Sequence, residues 1–522
     1  METIRKIRIE VYNNYAKVSK DDDYSFSVAS SYYSLPKDIR KKVYGQWVTR
    51  KEIFRLYEIN KNGDIILPRG LVELVNPQYV DIVSKEIVTL DKTDLNDISD
   101  ELIAKILQPE SGFDLRSDQI TAIRKAYLIK RGILQLATGA GKTEIMAGLM
   151  KLLYSIYGFY PKTLIIEPTL HLVKDTVKRL KKYNIPASAY TSHRDINNSE
   201  VILTHPVSLG NDVEKNPDLL NGIQVILYDE GHHLRADTWF ALMKSLTRVE
   251  YSIALSASIV SPDKVGCLDL KQYTIGEALA VGGSGRLLLS IPPSYYIRKG
   301  ILATPVVFQL HNPANEPCED ETKWHQKVKY RLESPTRSGL ASRTAGFMAS
   351  LGRKSLIFVS TKTHAKRLME VMTNMGFDCR CSFGGGVYLK WDPVSNKSVN
   401  VTESEDSMEK FKSGEFKILI ATSHLLEGAD VPNLDCIIIL DGGKKLRKMI
   451  QEVGRGIRKT KTGKYAYLID FSDHDDNVLN RHAQERLYLY RELIQVPDEL
   501  IYTGVSFPYL KKIFLELEGI EL

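Results

Sequence analysis

The chain has 522 residues, 43% hydrophobic and 26% charged, with a formal net charge of +7 at pH 7. That length calls for three or four domains, and the balance is that of soluble globular protein, with room for a nucleic-acid partner. No run of about eighteen apolar residues exists, which excludes a membrane-spanning helix; five scattered cysteines point to a reducing compartment.

The opening "METIRKIRIEVYNNY" lacks the apolar core and cleavage site of a secretory signal. Ile7, Ile9 and Val11 alternate with polar residues, which predicts a half-buried strand. "SSYYSLPKDIRKKVYGQW" (Ser30 to Trp47) interleaves Tyr32, Tyr33, Tyr44 and Trp47 with Lys37, Arg40, Lys41 and Lys42. It reads either as a nucleic-acid contact, rings on bases and cations on phosphates, or as a solvated basic helix whose rings build a small core. "IFRLYEINKNGDIILPRGL" predicts two strands about an Asn62-Gly63 turn. Residues 1–100 are thus expected to form a small accessory domain serving substrate choice, and the acidic stretch from Leu90 to Gly112 a connector with one short helix.

From Phe113 short apolar runs alternate with helical segments: "RGILQLAT", "TLIIEP", "EVILTH", "QVILYDE" and "YSIALSAS". Runs of this kind are buried parallel strands whose C-terminal ends carry function. A second series, "SLIFVST", "KILIAT", "CIIILDG" and "AYLIDF", begins near Pro305. Two successive open α/β units are therefore expected, followed by an amphipathic helical C-terminus. Cys379 and Cys381 form a lone C-x-C and read as inert thiols rather than zinc ligands.

In "LQLATGAGKTEIMAGL", Thr138, Gly139, Ala140 and Gly141 lie between a strand and a helix that opens near Lys142. Backbone N–H groups of such a turn wrap a β-phosphate, Lys142 reaches the β- and γ-phosphates, and Thr143 sits on Mg²⁺. The usual first glycine of the pattern is Leu136 here. "VILYDEGHHL" places Asp229 and Glu230 at the end of a strand expected to lie beside the first. Asp229 would hold Mg²⁺ through water, and Glu230 would position or deprotonate the attacking water. His232 and His233, being adjacent, are expected to point apart and to serve coupling or packing.

This set of motifs resembles the superfamily 2 helicases, and with "LPRGL" and "LSAS" it looks closest to their UvsW-like phage members and XPB-like relatives. The resemblance implies an α/β fold of two tandem RecA-like parallel-sheet domains, preceded by a small α+β N-terminal domain and followed by C-terminal helices. The expected domains are 1–100, 113–297, 298–480 and 481–522. "FDLRSDQ" resembles the adenine-contacting Q-type motif, implying that Gln119 and Arg116 read the base. "IIEPTLHLV" and "VILTHPVSL" resemble motifs Ia and Ib, implying nucleic-acid contacts near Pro168, Thr169 and Thr204. "LSASI" resembles motif III, with Ser258 in place of the commoner threonine, and "LIFVSTKTHA" resembles motif IV. "IATSHLLEGADVP" resembles motif V through Thr422, Glu427, Gly428 and Asp430, and "QEVGRGIRK" motif VI through Gln451, Gly454, Arg455 and Arg458.

The i, i+3 spacing of Arg455 and Arg458 sets both on one helix face, where a cationic pair could stabilise γ-phosphate charge as arginine fingers do. The implied protein is an ATP- and Mg²⁺-dependent helicase or translocase acting as a monomer on single-stranded, forked or junction DNA. Its expected setting is the cytoplasm of a bacterial or phage-infected cell, in replication, recombination or repair. The rivals are an RNA helicase, a restriction-system translocase subunit, and a non-motor ATP-dependent binding switch. "GGGVYLKWDPVSNKSVNVTES" (Gly384 to Ser404) reads as an inserted β-hairpin, either a duplex wedge or a surface decoration.

Overall fold

The computed structural model describes residues 5–43, 46–85, 98–235, 246, 248–311, 328–383, 388–392, 394–401, 404–422, 434–442, 465–474 and 476–520. The chain divides into two compact units, with the main boundary between Ile291 and Pro292. The expected class holds: two tandem RecA-like sheets, the first wholly and the second mostly parallel, with a small α+β region ahead of the first.

The N-terminal region runs β1 (Ile7–Val11), β2 (Tyr15–Val18), a helix Asp23–Tyr32, β3 (Ser34–Val43), β4 (Gln46–Arg55), β5 (Glu58–Ile59), β6 (Ile65–Pro68) and β7 (Val80–Ser84). Five of these strands form one sheet in the order β5-β6-β2-β1-β7. As the alternation predicts, Ile7, Ile9 and Val11 are its buried side. The expected turn is present: Gly63 takes φ +90°, and the Asn60 side chain accepts from the backbone N–H groups of Asn62 and Asp64.

Among the described residues, strands β3 and β4 pair only with each other, over ten register steps. The basic-helix reading of this segment is therefore corrected. Pro36 bars a helix interior, and Ile39, Val43, Val48, Thr49 and Ile53 are β-branched.

The first hundred residues are not a separate body. One hydrophobic core runs from Ile7 through Leu71 to Ile133, Ile226 and Val281. Gly70 packs so tightly on the helix Ile275–Ser284 that a Cβ there would lie 2.0 Å from the Val281 carbonyl oxygen. The buried Arg131 guanidinium donates to the carbonyls of Asn13 (2.9 Å) and Val249 (3.1 Å) and to Asn14 Oδ1 (2.8 Å). Burial lowers that group to about 10, which leaves it charged at neutral pH.

The first motor sheet contains β8 (Arg131–Leu136), β9 (Thr163–Ile166), β10 (Ala187–Ala189), β11 (Val201–Thr204), β12 (Val225–Asp229), β13 (Tyr251–Ser256) and β14 (Leu287–Ile291). Its order is β10-β11-β9-β12-β13-β8-β14, and every pairing is parallel.

The second unit contains β15 (Thr304–His311), β16 (Ser355–Phe358), β17 (Cys379–Ser382), β18 (Tyr388–Asp392), β19 (Lys397–Val401), β20 (Ile418–Ala421), β21 (Cys436–Ile439), β22 (Tyr465–Ser472) and β23 (Ile501–Val505). The order is β19-β18-β17-β20-β16-β21-β22-β15-β23. The expected insertion is an antiparallel hairpin, β18–β19, that lengthens the sheet beyond β17. The C-terminal stretch is not helical throughout: between helices Asn477–Leu489 and Phe507–Glu518, β23 joins the sheet in parallel with β15. Buried ion pairs Arg337–Asp473 and Arg486–Asp470 brace this unit. Cys379 and Cys381 are buried, and burial pushes the Cys379 thiol up to about 12, in keeping with inert thiols. Among the described residues no helix is long and apolar enough to cross a membrane.

Candidate phosphate site and nucleic-acid contacts

Every residue of β8 is buried, so the chain leaves the sheet at a fixed point and turns through Ala137–Gly141. The Ala140 N–H closes the turn on the Ala137 carbonyl at 3.1 Å. Gly139 and Gly141 both take φ +83°, which favours glycine. Leu136 has no positive φ and is fully buried, so a glycine is not needed there. A Cβ on Gly141 would crowd Gln119 Nε2, so any side chain there would displace that amide as well as meet an unfavourable φ. The helix Lys142–Tyr157 then presents its N-terminus to the turn, with Thr143 buried in its first turn. Backbone N–H groups at an N-terminus behind two glycines lack intrahelical partners and are suited to meeting an anion.

Gln119 is fully buried and is fastened at both ends of its amide. Its Nε2 lies 3.5 Å from the Gly141 carbonyl oxygen, and its Oε1 accepts from the Arg116 N–H at 3.1 Å. The Arg116 guanidinium is spread across Asp118 at 3.1 and 3.0 Å. The Q-type segment is thus tied to the phosphate turn.

Lys142 Nζ donates to Glu230 Oε1 at 2.8 Å and lies 3.7 Å from Asp229 Oδ1. Glu230 has φ +49°, a strained backbone for an acid, with a cost of order 1–3 kcal/mol. Its second oxygen accepts from Ser256 Oγ at 3.3 Å, and His232 Nδ1 stands 3.0 Å from that hydroxyl and 3.3 Å from Glu230 Oε2. Two expectations are corrected here. β12 does not adjoin β8, because β13 lies between them and delivers Ser256 to the acid. The rings of His232 and His233 do not point apart; their centroids are 4.3 Å from each other.

Two participants went unnoticed in the sequence. Glu167 follows β9 and is fully buried, one step beyond the Ile166–Tyr228 register pair and so beside Asp229. The Thr176 hydroxyl donates to it at 2.8 Å, and burial, with Asp229 and Glu230 nearby, pushes its carboxyl well up. Gln135 Oε1 accepts from the N–H groups of Ile259 (2.7 Å) and Val260 (3.1 Å), holding the chain that follows Ser258. The available signal was a polar residue inside each apolar run, "LIIEP" and "ILQLA".

The residues expected to touch nucleic acid are scattered. Thr169 caps the helix Leu170–Lys181 by accepting from the Leu172 N–H at 3.3 Å, with Pro168 half-buried before it. His205, lowered by burial although it bonds to Pro168, follows Thr204, whose side chain is only 2% exposed. The Thr204 carbonyl already accepts from the Glu167 N–H at 2.9 Å, so in this form the residue has almost no surface to offer. In the second unit Thr422 is also buried. Gln451, Arg455 and Arg458, with Glu427, Gly428, Asp430 and Gly454, lie outside the described residues.

Of the N-terminal aromatics, Tyr33 is fully buried, and the Tyr32 hydroxyl is bound between the Leu74 carbonyl and the Leu270 N–H. Neither ring is a free stacking face. Lys37 is exposed beside the Phe54 ring, Arg40 and Trp47 are described by backbone only, and Tyr44 lies outside the described residues.

Comparison with known proteins matches residues 112–260 to the type III restriction enzyme, res subunit, and residues 342–460 to the helicase conserved C-terminal domain. The chain is 23% identical over 368 residues to the DNA 3'-5' translocase XPB2 of Sulfurisphaera tokodaii, covering 66% of this chain and 79% of that protein. A shorter match, 30% identical over 122 residues, is to the ATP-dependent rRNA helicase RRP3 of Yarrowia lipolytica, covering 23% of each. Among solved structures, the DUF1998 helicase MrfA bound to DNA and AMPPNP shares the fold with a TM-score of 0.53 at 15% identity, over 81% of this chain and 56% of that one.

Proposed function

We propose, for a chain that belongs to the superfamily 2 helicases and is an ATP-hydrolysing nucleic-acid motor, that its track is DNA and that it works at forks or junctions in replication, recombination or repair. The observation that carries the chemistry is the Lys142–Glu230 contact at the mouth of the glycine turn. These groups neutralise each other. Phosphates entering the cradle compete for Lys142, and Glu230 is then left as a base held by Ser256.

Thr143 and Asp229 fit a Mg²⁺ that keeps most of its shell as phosphate and water. Among the described residues no cluster of three His, Cys, Asp or Glu forms a protein cage for a metal. Bound Mg²⁺ would neutralise phosphate charge. Glu230 orients the attacking water and accepts its proton while the bond between the γ-phosphorus and the leaving ADP oxygen breaks. Arg116 and Gln119 are the proposed base-reading pair. Pro168, Thr169, Thr204 and Thr422 mark the segments from which contacts to the strand are proposed; Thr204 and Thr422, buried in this form, would have to become accessible to make them. Arg455→Ala or Arg458→Ala is expected to lower kcat by up to ~10³-fold; a change confined to KM would make them simple binding groups.

DNA is favoured as the track by the XPB2 relative, named as a DNA translocase, which is matched over far more of the chain than the rRNA helicase. The latter match is what favours an RNA motor as the second reading. One assay separates them: ATPase stimulation measured side by side with single-stranded DNA, duplex, fork, four-way junction and RNA. Strongest stimulation by forked or four-way DNA is expected, and stimulation by RNA alone would overturn the proposal.

A further inference from the structure

The β3–β4 ribbon is unlike the rest of the first unit. Its strands pair with each other without a bulge and with no other strand among the described residues. Ten residues per strand make it about 33 Å long, close to the pitch of one turn of B-DNA. Pro36, Lys37, Asp38 and the whole of Thr49–Ile53 are exposed, with Ile39 half-buried, so both faces are largely open away from the base. A two-stranded ribbon with bare faces is marginal by itself in water.

Its base, by contrast, is anchored. Leu35 and Leu56 belong to the core that runs into the first motor sheet, and the Leu56 N–H bonds to the Tyr33 carbonyl at 2.9 Å.

Charge is concentrated here. Residues 34–55 carry seven Lys and Arg against two acids, in a chain whose net charge is only +7. The register sets both acids opposite lysines, Lys37 to Glu52 and Asp38 to Lys51. Toward the tip, Arg40, Lys41, Lys42 and Arg50 face Thr49, Val48, Trp47 and Ile39, with no acid opposite. Charge at an exposed edge also deters strand-to-strand aggregation, but that works with either sign and needs no such excess of cations.

We infer that this ribbon lies in the major groove of duplex DNA adjoining the strand on which the motor works. The B-form major groove admits a two-stranded β-ribbon, whereas the major groove of A-form RNA is too deep and narrow. The distal cations meet phosphates across the groove, and the anchored base ties the duplex to the first motor sheet. The inference rests on the reading that the track is DNA, and it replaces stacking on unpaired bases, for which Tyr32 and Tyr33 are not free.

The test uses the full chain with Arg40→Gln, Lys41→Gln, Lys42→Gln and Arg50→Gln combined, and binding titrated against salt. Single-stranded DNA, blunt duplex DNA, a fork and duplex RNA are compared. Duplex and fork affinity should fall at least tenfold, with the log–log salt slope flattened by about 3 to 4, at ~0.9 for each phosphate that is no longer neutralised. Single-strand affinity should change less than twofold, and duplex RNA should bind weakly and equally to both proteins.

Equal losses on single strand, duplex DNA and duplex RNA would overturn groove insertion, as mere general electrostatics. Unchanged binding to every nucleic acid would also overturn it, leaving an acidic protein partner or edge protection. An unchanged thermal midpoint reports folding; if the fourfold variant fails that check, Arg40→Gln with Arg50→Gln should show about half the slope change. Stimulation of the ATPase by RNA alone would sink the DNA motor, whereas the ribbon is judged on binding alone, so the two failures are distinguishable.

Discussion

The Lys142–Glu230 pair of the proposed phosphate cradle and the β3–β4 ribbon lie in the same unit and are built on opposite rules. In the cradle each working side chain is held by a neighbour: Lys142 by Glu230, Glu230 by Ser256, Gln119 by Gly141. Its charges are few and largely withdrawn from solvent, with Lys142 set between Asp229 and Glu230. The ribbon sets many charges of one sign at regular backbone positions and leaves the described ones in water. Chemistry at a γ-phosphate needs atoms positioned to fractions of an ångström in a dry site, so preorganisation dominates. Gripping a phosphate backbone needs only charge at the right spacing, because released counterions supply much of the affinity.

The sharpest break of that contrast is Lys142→Ala. Removing the cation of the cradle is expected to abolish ATP hydrolysis, and normal turnover would withdraw the phosphate site altogether. Glu230→Gln keeps the shape and removes the base, so hydrolysis should fall ~10²- to 10⁴-fold while ATP and DNA still bind; turnover like wild type would remove Glu230 from the chemistry.

Gly70→Ala touches neither region directly but tests whether the ribbon's mount is part of the motor. With the Val281 carbonyl where the new methyl must go, a loss of at least ~2–3 kcal/mol is expected. It should be read as a lowered thermal midpoint of the first unit, and an unchanged midpoint would mean the two sheets pack independently. Ser256→Ala loosens the acid without removing it. A several-fold drop in kcat with KM little changed is expected, and an effect confined to KM would deny Ser256 its positioning role.

Much of this was legible in the chain itself, because the signals are local. A glycine pair that needs positive φ, an acid pair closing an apolar run and a strand–turn–helix order each depend on a few consecutive residues. So do the buried parallel strands, whose apolar runs show both faces covered, and every run named from the sequence became a strand. Strands with weaker runs, such as Ala187–Ala189 and Ile501–Val505, took their identity from the neighbour they pair with.

Tertiary structure alone decided what lies beside what. That β13 separates β8 from β12, that Glu167 stands beside Asp229, and that Ser256 holds Glu230 all follow from strand order, which no local pattern encodes. The same holds at the N-terminus. Tyr32 and Tyr33 are chemically identical to rings that stack on bases, and only the core that closes over them assigns them to folding. Pattern determines which residues can form an element, whereas burial, set by the rest of the chain, determines which of them remain free to act.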